Sequence, residues 1–238
     1  MHIHLHKVPF LEPQCPKEAR VNDLRACEIM ATELQFLRPI ERVGRVLDTL
    51  RASGHNLFPL LEADHTVFGT VQRDTLCALL SLRAFSEGTE VDTDVASNVA
   101  QSPIVPYREL ERFFPHYPDV DSLDVSRAEW QRWVDLRPYC NTSPFTVNEA
   151  ASVPRTYRLF RLLGMRHLLV VDRKGHLVGI ITRHDLLEEH ILAALQHSPL
   201  LRTSTVWTMR RPEEGEGRNE GSGVSDGGVA SPTSAAMP

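Results

Sequence analysis

The sequence predicts an α+β fold built twice over. Two strand–helix–strand–strand–helix units pair into one module, and a disordered C-terminal tail follows. Three observations carry this. Apolar residues in 143–190 switch between strand and helix periods in the order β-α-β-β-α. Residues 23–80 repeat the pattern: Gly54, Gly69, Arg73 and Leu76 recur as Gly164, Gly179, Arg183 and Leu186, each 110 positions later. Residues 210–238 are rich in Gly, Ser, Glu and Ala and lack any apolar periodicity to offset the entropy of ordering.

The second unit shows the pattern more clearly. Phe145, Thr146 and Val147 form a short β-rich run. Ser152 and Pro154 mark a helix start, because a hydroxyl caps free N–H groups and proline fits the first turn. Val153, Tyr157, Phe160 and Leu163 recur at helical spacing until Gly164 stops the helix. Residues 167–171 and 177–182 are strands joined by the turn chemistry of 172–175, and a closing amphipathic helix runs from Arg183.

In the first unit, residues 21–30 are expected to form a short helix and 34–37 a strand. Ile40, Val43, Val46, Leu47 and Leu50 make a helical stripe ended by Ser53 and Gly54. Residues 57–61 and 67–71 form a hairpin around Asp64 and His65, with a helix from Arg73. The boundaries are a connector at 1–20, the first unit at 21–85, an insert at 86–134, the second unit at 135–198 and the tail at 210–238. In the insert, four prolines (Pro103, Pro106, Pro115, Pro118) prevent a long helix. Its aromatics are too many for a free linker, so it packs on the module's outside with Phe113, Phe114 and Pro115 as anchor.

Composition narrows the function. A formal charge of −5 gives no reason to expect nucleic-acid binding. Cys15, Cys27, Cys77 and Cys140 are widely separated, with neither a zinc pattern nor a disulfide framework. His2, His4 and His6 alternate as ligands on a strand would, but no further ligand follows, and a solvated connector is the better account. No apolar run approaches the roughly 20 residues needed to span a bilayer, and no signal peptide is evident. Nucleophile-elbow, P-loop and HExxH motifs are absent, so no catalytic residue and no metal site is assigned.

The segments GMRHLLVV (164–171) and GIITRHDL (179–186), with NTSPFTV (141–147) ahead of them, resemble a CBS motif. The match is to the last CBS motif of the CLC chloride channels and chloride/proton exchangers, closest to their lysosomal and vacuolar branch. The resemblance implies a regulatory module on the cytosolic face of an intracellular membrane, partnered by a CLC membrane domain and by a second copy. It also implies a regulatory ligand, ATP (or ADP or AMP), held without metal between the paired motifs.

Asp185 is the central candidate residue. It follows Thr182 where the last strand feeds the next helix, and a carboxylate there can accept hydrogen bonds from both ribose hydroxyls. Thr182 adds a hydroxyl, while a helix N-terminus near Arg183 favours phosphate, with Arg183, His184 and Arg73 as candidate phosphate contacts. The alternative is that Asp185 only caps the helix, where an acid is favourable anyway. The resemblance places His55 and Asn56 beside the base, His55 stacking and Asn56 reading the base edge, although Leu57 stands where the family pattern has Gly. Thr75 occupies the first unit's equivalent of Asp185, so one nucleotide is expected rather than two. A free-standing adenylate sensor and a ligand-free dimerisation module are the alternative functions.

Overall fold

A computed structural model of the chain describes residues 11–198, apart from 13, 18 and 87–103. The first unit runs through β1 (Ile40–Arg42), α1 (Val43–Ala52), β2 (Leu57–Leu61), β3 (Val67–Gln72) and α2 (Arg73–Ser81). The insert carries α3 (Tyr107–Glu111) and α4 (Arg127–Trp130). Then come β4 (Trp133–Asp135), β5 (Thr146–Asn148), α5 (Val153–Leu163), β6 (His167–Val171), β7 (Leu177–Thr182) and α6 (Glu188–His197).

The 110-residue offset governs the pairing as well as the sequence. β2 and β3 pair antiparallel with Leu57 opposite Gln72, and β6 and β7 with His167 opposite Thr182. Both hairpins bulge at the same place, between Leu60 and Leu61 and between Val170 and Val171. Leu37 bridges Leu60 in parallel, as Val147 on β5 pairs with Val170. The two units then cross over. Ala31, ahead of the first unit, bridges Ile180 of the second, while Asn141, ahead of the second, bridges Thr70 of the first. Thr66 bridges His176, its own counterpart, so this contact lies on the local two-fold axis.

The crossover explains two of the repeated glycines. A Cβ on Gly69 would lie 2.7 Å from the Asn141 carbonyl oxygen. One on Gly179 would collide with the Met30 sulfur. Each hairpin needs a residue without a side chain where the other unit's leading segment passes over it.

Two apolar cores result, and each draws on sequence from outside its own unit. One gathers Val46, Leu47, Leu50, Phe58, Leu76 and Leu79 with Leu110, Val120, Leu123 and Leu136 of the insert and its exit. The other gathers Val153, Phe160, Leu168 and Ile181 with Leu11, Val21, Leu24, Ala26 and Ile29 from the start of the chain. Each fully buried side chain of this kind stabilises the fold by about 1.5–3 kcal/mol.

Several local expectations are corrected. Residues 21–30 do not form a helix but two 3-10 turns, Ala19–Asn22 and Ala26–Glu28. The backbone here is used across the molecule: Ala26 N–H donates to the Ala151 carbonyl and Cys27 N–H to that of Glu149. The strand expected at 34–37 is reduced to the single bridge at Leu37. Ile40 belongs to β1, which pairs with β4, rather than to the helical stripe. Ser152 sits at the N-cap of α5 but makes no side-chain cap bond; its carbonyl accepts from the Thr156 hydroxyl. The closing helix begins at Glu188 rather than Arg183, because a 3-10 turn, His184–Leu186, intervenes. Phe113 packs against the first core, but Phe114 is 72% exposed and anchors nothing. As expected, Gly164 ends α5 in the left-handed region, and Asp172 accepts from the N–H groups of Lys174 and His176 in the hairpin turn. The histidines at 2, 4 and 6, residues 87–103 of the insert and the tail lie outside the described residues.

Candidate functional site

The end of β7 places Thr182 and Asp185 in one tight turn. Asp185 Oδ2 accepts from the Thr182 backbone N–H at 2.7 Å and from its hydroxyl at 2.8 Å. This is the acid half of a capping box, in which a carboxylate three residues on reaches back to the first N–H. Asp185 Oδ1 has no hydrogen-bond partner among the described residues. The carboxylate is therefore held in one orientation with one oxygen available.

The neighbouring cations are placed differently from the sequence-based expectation. Arg183 Nε donates to the Met165 carbonyl at 2.8 Å, fastening the turn to the start of β6. Arg73 does the equivalent work in the first unit, donating to the carbonyls of Ser53 and Leu50 at the end of α1. Both guanidinium groups satisfy carbonyls at or just beyond a helix end that otherwise lack partners. His184 is exposed and its ring packs against that of His190, with centroids 4.3 Å apart and the planes tilted by 49°. Because α6 starts at Glu188, its N-terminus is not at Arg183.

His55 and Asn56 precede β2 on the surface, and the Asn56 carbonyl accepts from Arg73 N–H. No hydrogen bond links either residue to Asp185 among the described residues. His167 pairs with Thr182 across the hairpin, beside the Thr182–Asp185 turn.

The sequence reading passed over His167, although the offset points to it. Leu57 and Gln72 face each other in the first unit, and adding 110 gives His167 and Thr182. Arg166 and His167, with Asn141, Pro144 and Phe145, line a cleft of about 290 Å³ against Leu57, Thr70 and Gln72 of the first unit. Burial first, then the charges of Arg166 and His55, push the His167 pKa down. The fold thus favours the neutral ring. Above an unfolded pKa of about 6.5 neither state is protonated and this preference has no effect on stability. Below it the unfolded chain binds the proton first, so stability falls as pH drops toward the lowered folded pKa. Wild type should therefore lose more melting temperature between about pH 7.5 and pH 5.5 than His167→Gln. Equal losses in the two proteins would show that His167 is not held neutral.

The CBS domain family model matches residues 135–191. The human H(+)/Cl(-) exchange transporter 7 is 38% identical over 193 residues, covering 78% of this chain and 23% of that protein. Chloride channel protein CLC-c of Arabidopsis thaliana is 31% identical over 199 residues, 80% of this chain and 25% of that protein. Chloride channel protein A of Dictyostelium discoideum is 30% identical over 224 residues, 75% and 26% respectively. The chain spans about a quarter of the length of these curated relatives. Among solved structures, CBSX2 in complex with AMP is 19% identical with a TM-score of 0.43, covering 73% of this chain and 97% of that one.

Proposed function

The chain belongs with the CBS-domain segments of the CLC chloride channels and exchangers, and from that premise we propose that it is a regulatory module that binds an adenine nucleotide. The observation that supports this best is the Thr182–Asp185 turn, which presents a fixed carboxylate with Oδ1 free of any hydrogen-bond partner among the described residues. That oxygen accepts from the ribose diol, His55 and Asn56 meet the base, Arg183 gives the phosphates a positive surrounding and His184 offers them a ring N–H. Arg183 acts through its charge, since its Nε is engaged by Met165. No metal is required, and the nucleotide is bound without being hydrolysed.

The partner is a CLC membrane domain, and the module works as a homodimer on the cytosolic face of a lysosomal, late-endosomal or vacuolar membrane. No helix among the described residues is long and apolar enough to cross a membrane. Nucleotide binding biases transport only insofar as it favours one arrangement of the module over another. The competing account is a purely structural Asp185, favoured by the two cap bonds on Oδ2. Calorimetric titration of ATP in the absence of magnesium separates them. One nucleotide per chain is expected, and a flat titration refutes the proposal.

A further inference from the structure

The corresponding turn of the first unit faces a different chemistry. Gln72 and Thr75, the counterparts of Thr182 and Asp185, border a cleft of about 630 Å³, within the usual range for small-molecule sites. The insert and its exit supply the opposite wall, with three phenol rings: Tyr107, Tyr117 and Tyr139. Tyr107 is 74% exposed, so its ring serves no core. The wall is tied together, because the Tyr139 hydroxyl accepts from Val105 N–H at 2.7 Å.

The charge in this cleft is one-sided. Among the described residues, Glu111 is its only charged lining residue, and no Lys, Arg or His borders it. Glu111 has no ion-pair partner among the described residues, since Arg112 pairs with Glu109. Arg166 and His167 belong to the neighbouring cleft. A phosphate would meet a carboxylate and no cation from the described residues here, which disfavours a second nucleotide. Aromatic faces carry negative quadrupole density, and several around one cavity with a carboxylate at the rim attract an organic cation.

We propose that this cleft binds an organic cation of the quaternary-ammonium class, enclosed by Tyr107, Tyr117 and Tyr139 and balanced by Glu111. The site is independent of the nucleotide reading, because it shares no residue with His55, Asn56 or the Thr182–Asp185 turn.

The test titrates choline into the full chain, followed by its uncharged isostere with carbon in place of the quaternary nitrogen. Choline should bind saturably and the isostere about tenfold more weakly or worse, because only the charge differs. Tyr107→Ala and Glu111→Gln should each weaken choline binding severalfold, and Tyr107→Phe should retain it, since the ring rather than the hydroxyl attracts the cation. These side chains are exposed, so the variants should keep the wild-type melting temperature. Absence of choline binding overturns the proposal. So does equal affinity for the isostere, or Tyr107→Ala and Glu111→Gln proteins that bind choline like wild type.

Discussion

Residues 135–198 produced alone should fail to form a native monomer, although they include all of the second unit's strands and helices. The second core is completed by Leu11, Val21, Leu24, Ala26 and Ile29, all of which such a fragment lacks. It also loses the Ala31–Ile180 bridge and the backbone bonds from Ala26 and Cys27 to residues 149–151. Removing the four large buried side chains Leu11, Val21, Leu24 and Ile29, at about 1.5–3 kcal/mol each, exceeds the lower range of a typical domain's whole stability. Aggregation, oligomers or collapsed amide dispersion in nuclear magnetic resonance is the expected result. A dispersed, monomeric spectrum would mean that the N-terminal segment does not complete this core.

Phe160→Ala should destabilise the intact chain severely. The ring is fully buried in the second core, between α5 and the strands. Truncating a buried Phe costs about 3–5 kcal/mol through lost transfer energy and the cavity left behind. For a chain of this length, that is about 2–4 °C of melting temperature per kcal/mol. Phe114→Ala, at the exposed ring, should stay within about 0.5 kcal/mol of wild type. Comparable losses in both variants would contradict the assignment of the two rings.

The contrast between these phenylalanines shows what was legible in the sequence. Phe160 sits in a helical stripe with Val153, Tyr157 and Leu163; the first three are buried, whereas Leu163, at the last residue of α5, is 51% exposed. Local periodicity reports burial reliably when a helix has one core face. Phe113 and Phe114 are adjacent in an irregular stretch without a period, and nothing local distinguishes the ring that packs from the one that does not. The hairpins, Gly164 and the duplication were legible for the same reason: they depend on residues close in sequence or on a constant offset.

Crossover was not legible. Residues 21–30 have enough apolar character for a helix, yet the N–H groups of Ala26 and Cys27 go to residues 149–151, more than a hundred positions away. Tertiary hydrogen bonding overrode local propensity there, as it did at Ile40, whose partner is Asp135. At the candidate site, the sequence pointed to the Thr182–Asp185 pair but not to its internal bonding. That Arg183 and Arg73 also hold backbone carbonyls near helix ends was not legible, because those partners carry no sequence signature.

The proposed nucleotide site is tested most directly by titrating ATP into wild type, Asp185→Ala, Asp185→Asn and Thr75→Ala, with melting temperatures recorded for each. Hydrogen bonds to a charged carboxylate contribute about 1.5–3 kcal/mol apiece, and 1.4 kcal/mol is tenfold in affinity. Asp185→Ala should therefore bind ATP at least about tenfold more weakly, and Asp185→Asn should be weakened too because the charge is lost. Thr75→Ala, at the equivalent place in the first unit, should bind as wild type does. Loss of both bonds to Thr182 will lower the melting temperature of Asp185→Ala by the equivalent of about 0.5–2 kcal/mol, whereas the amide oxygen of Asp185→Asn can still accept them, so each titration is run well below the lower of the two melting temperatures. A folded Asp185→Ala protein that binds ATP with wild-type affinity would contradict the account and leave Asp185 as a cap alone.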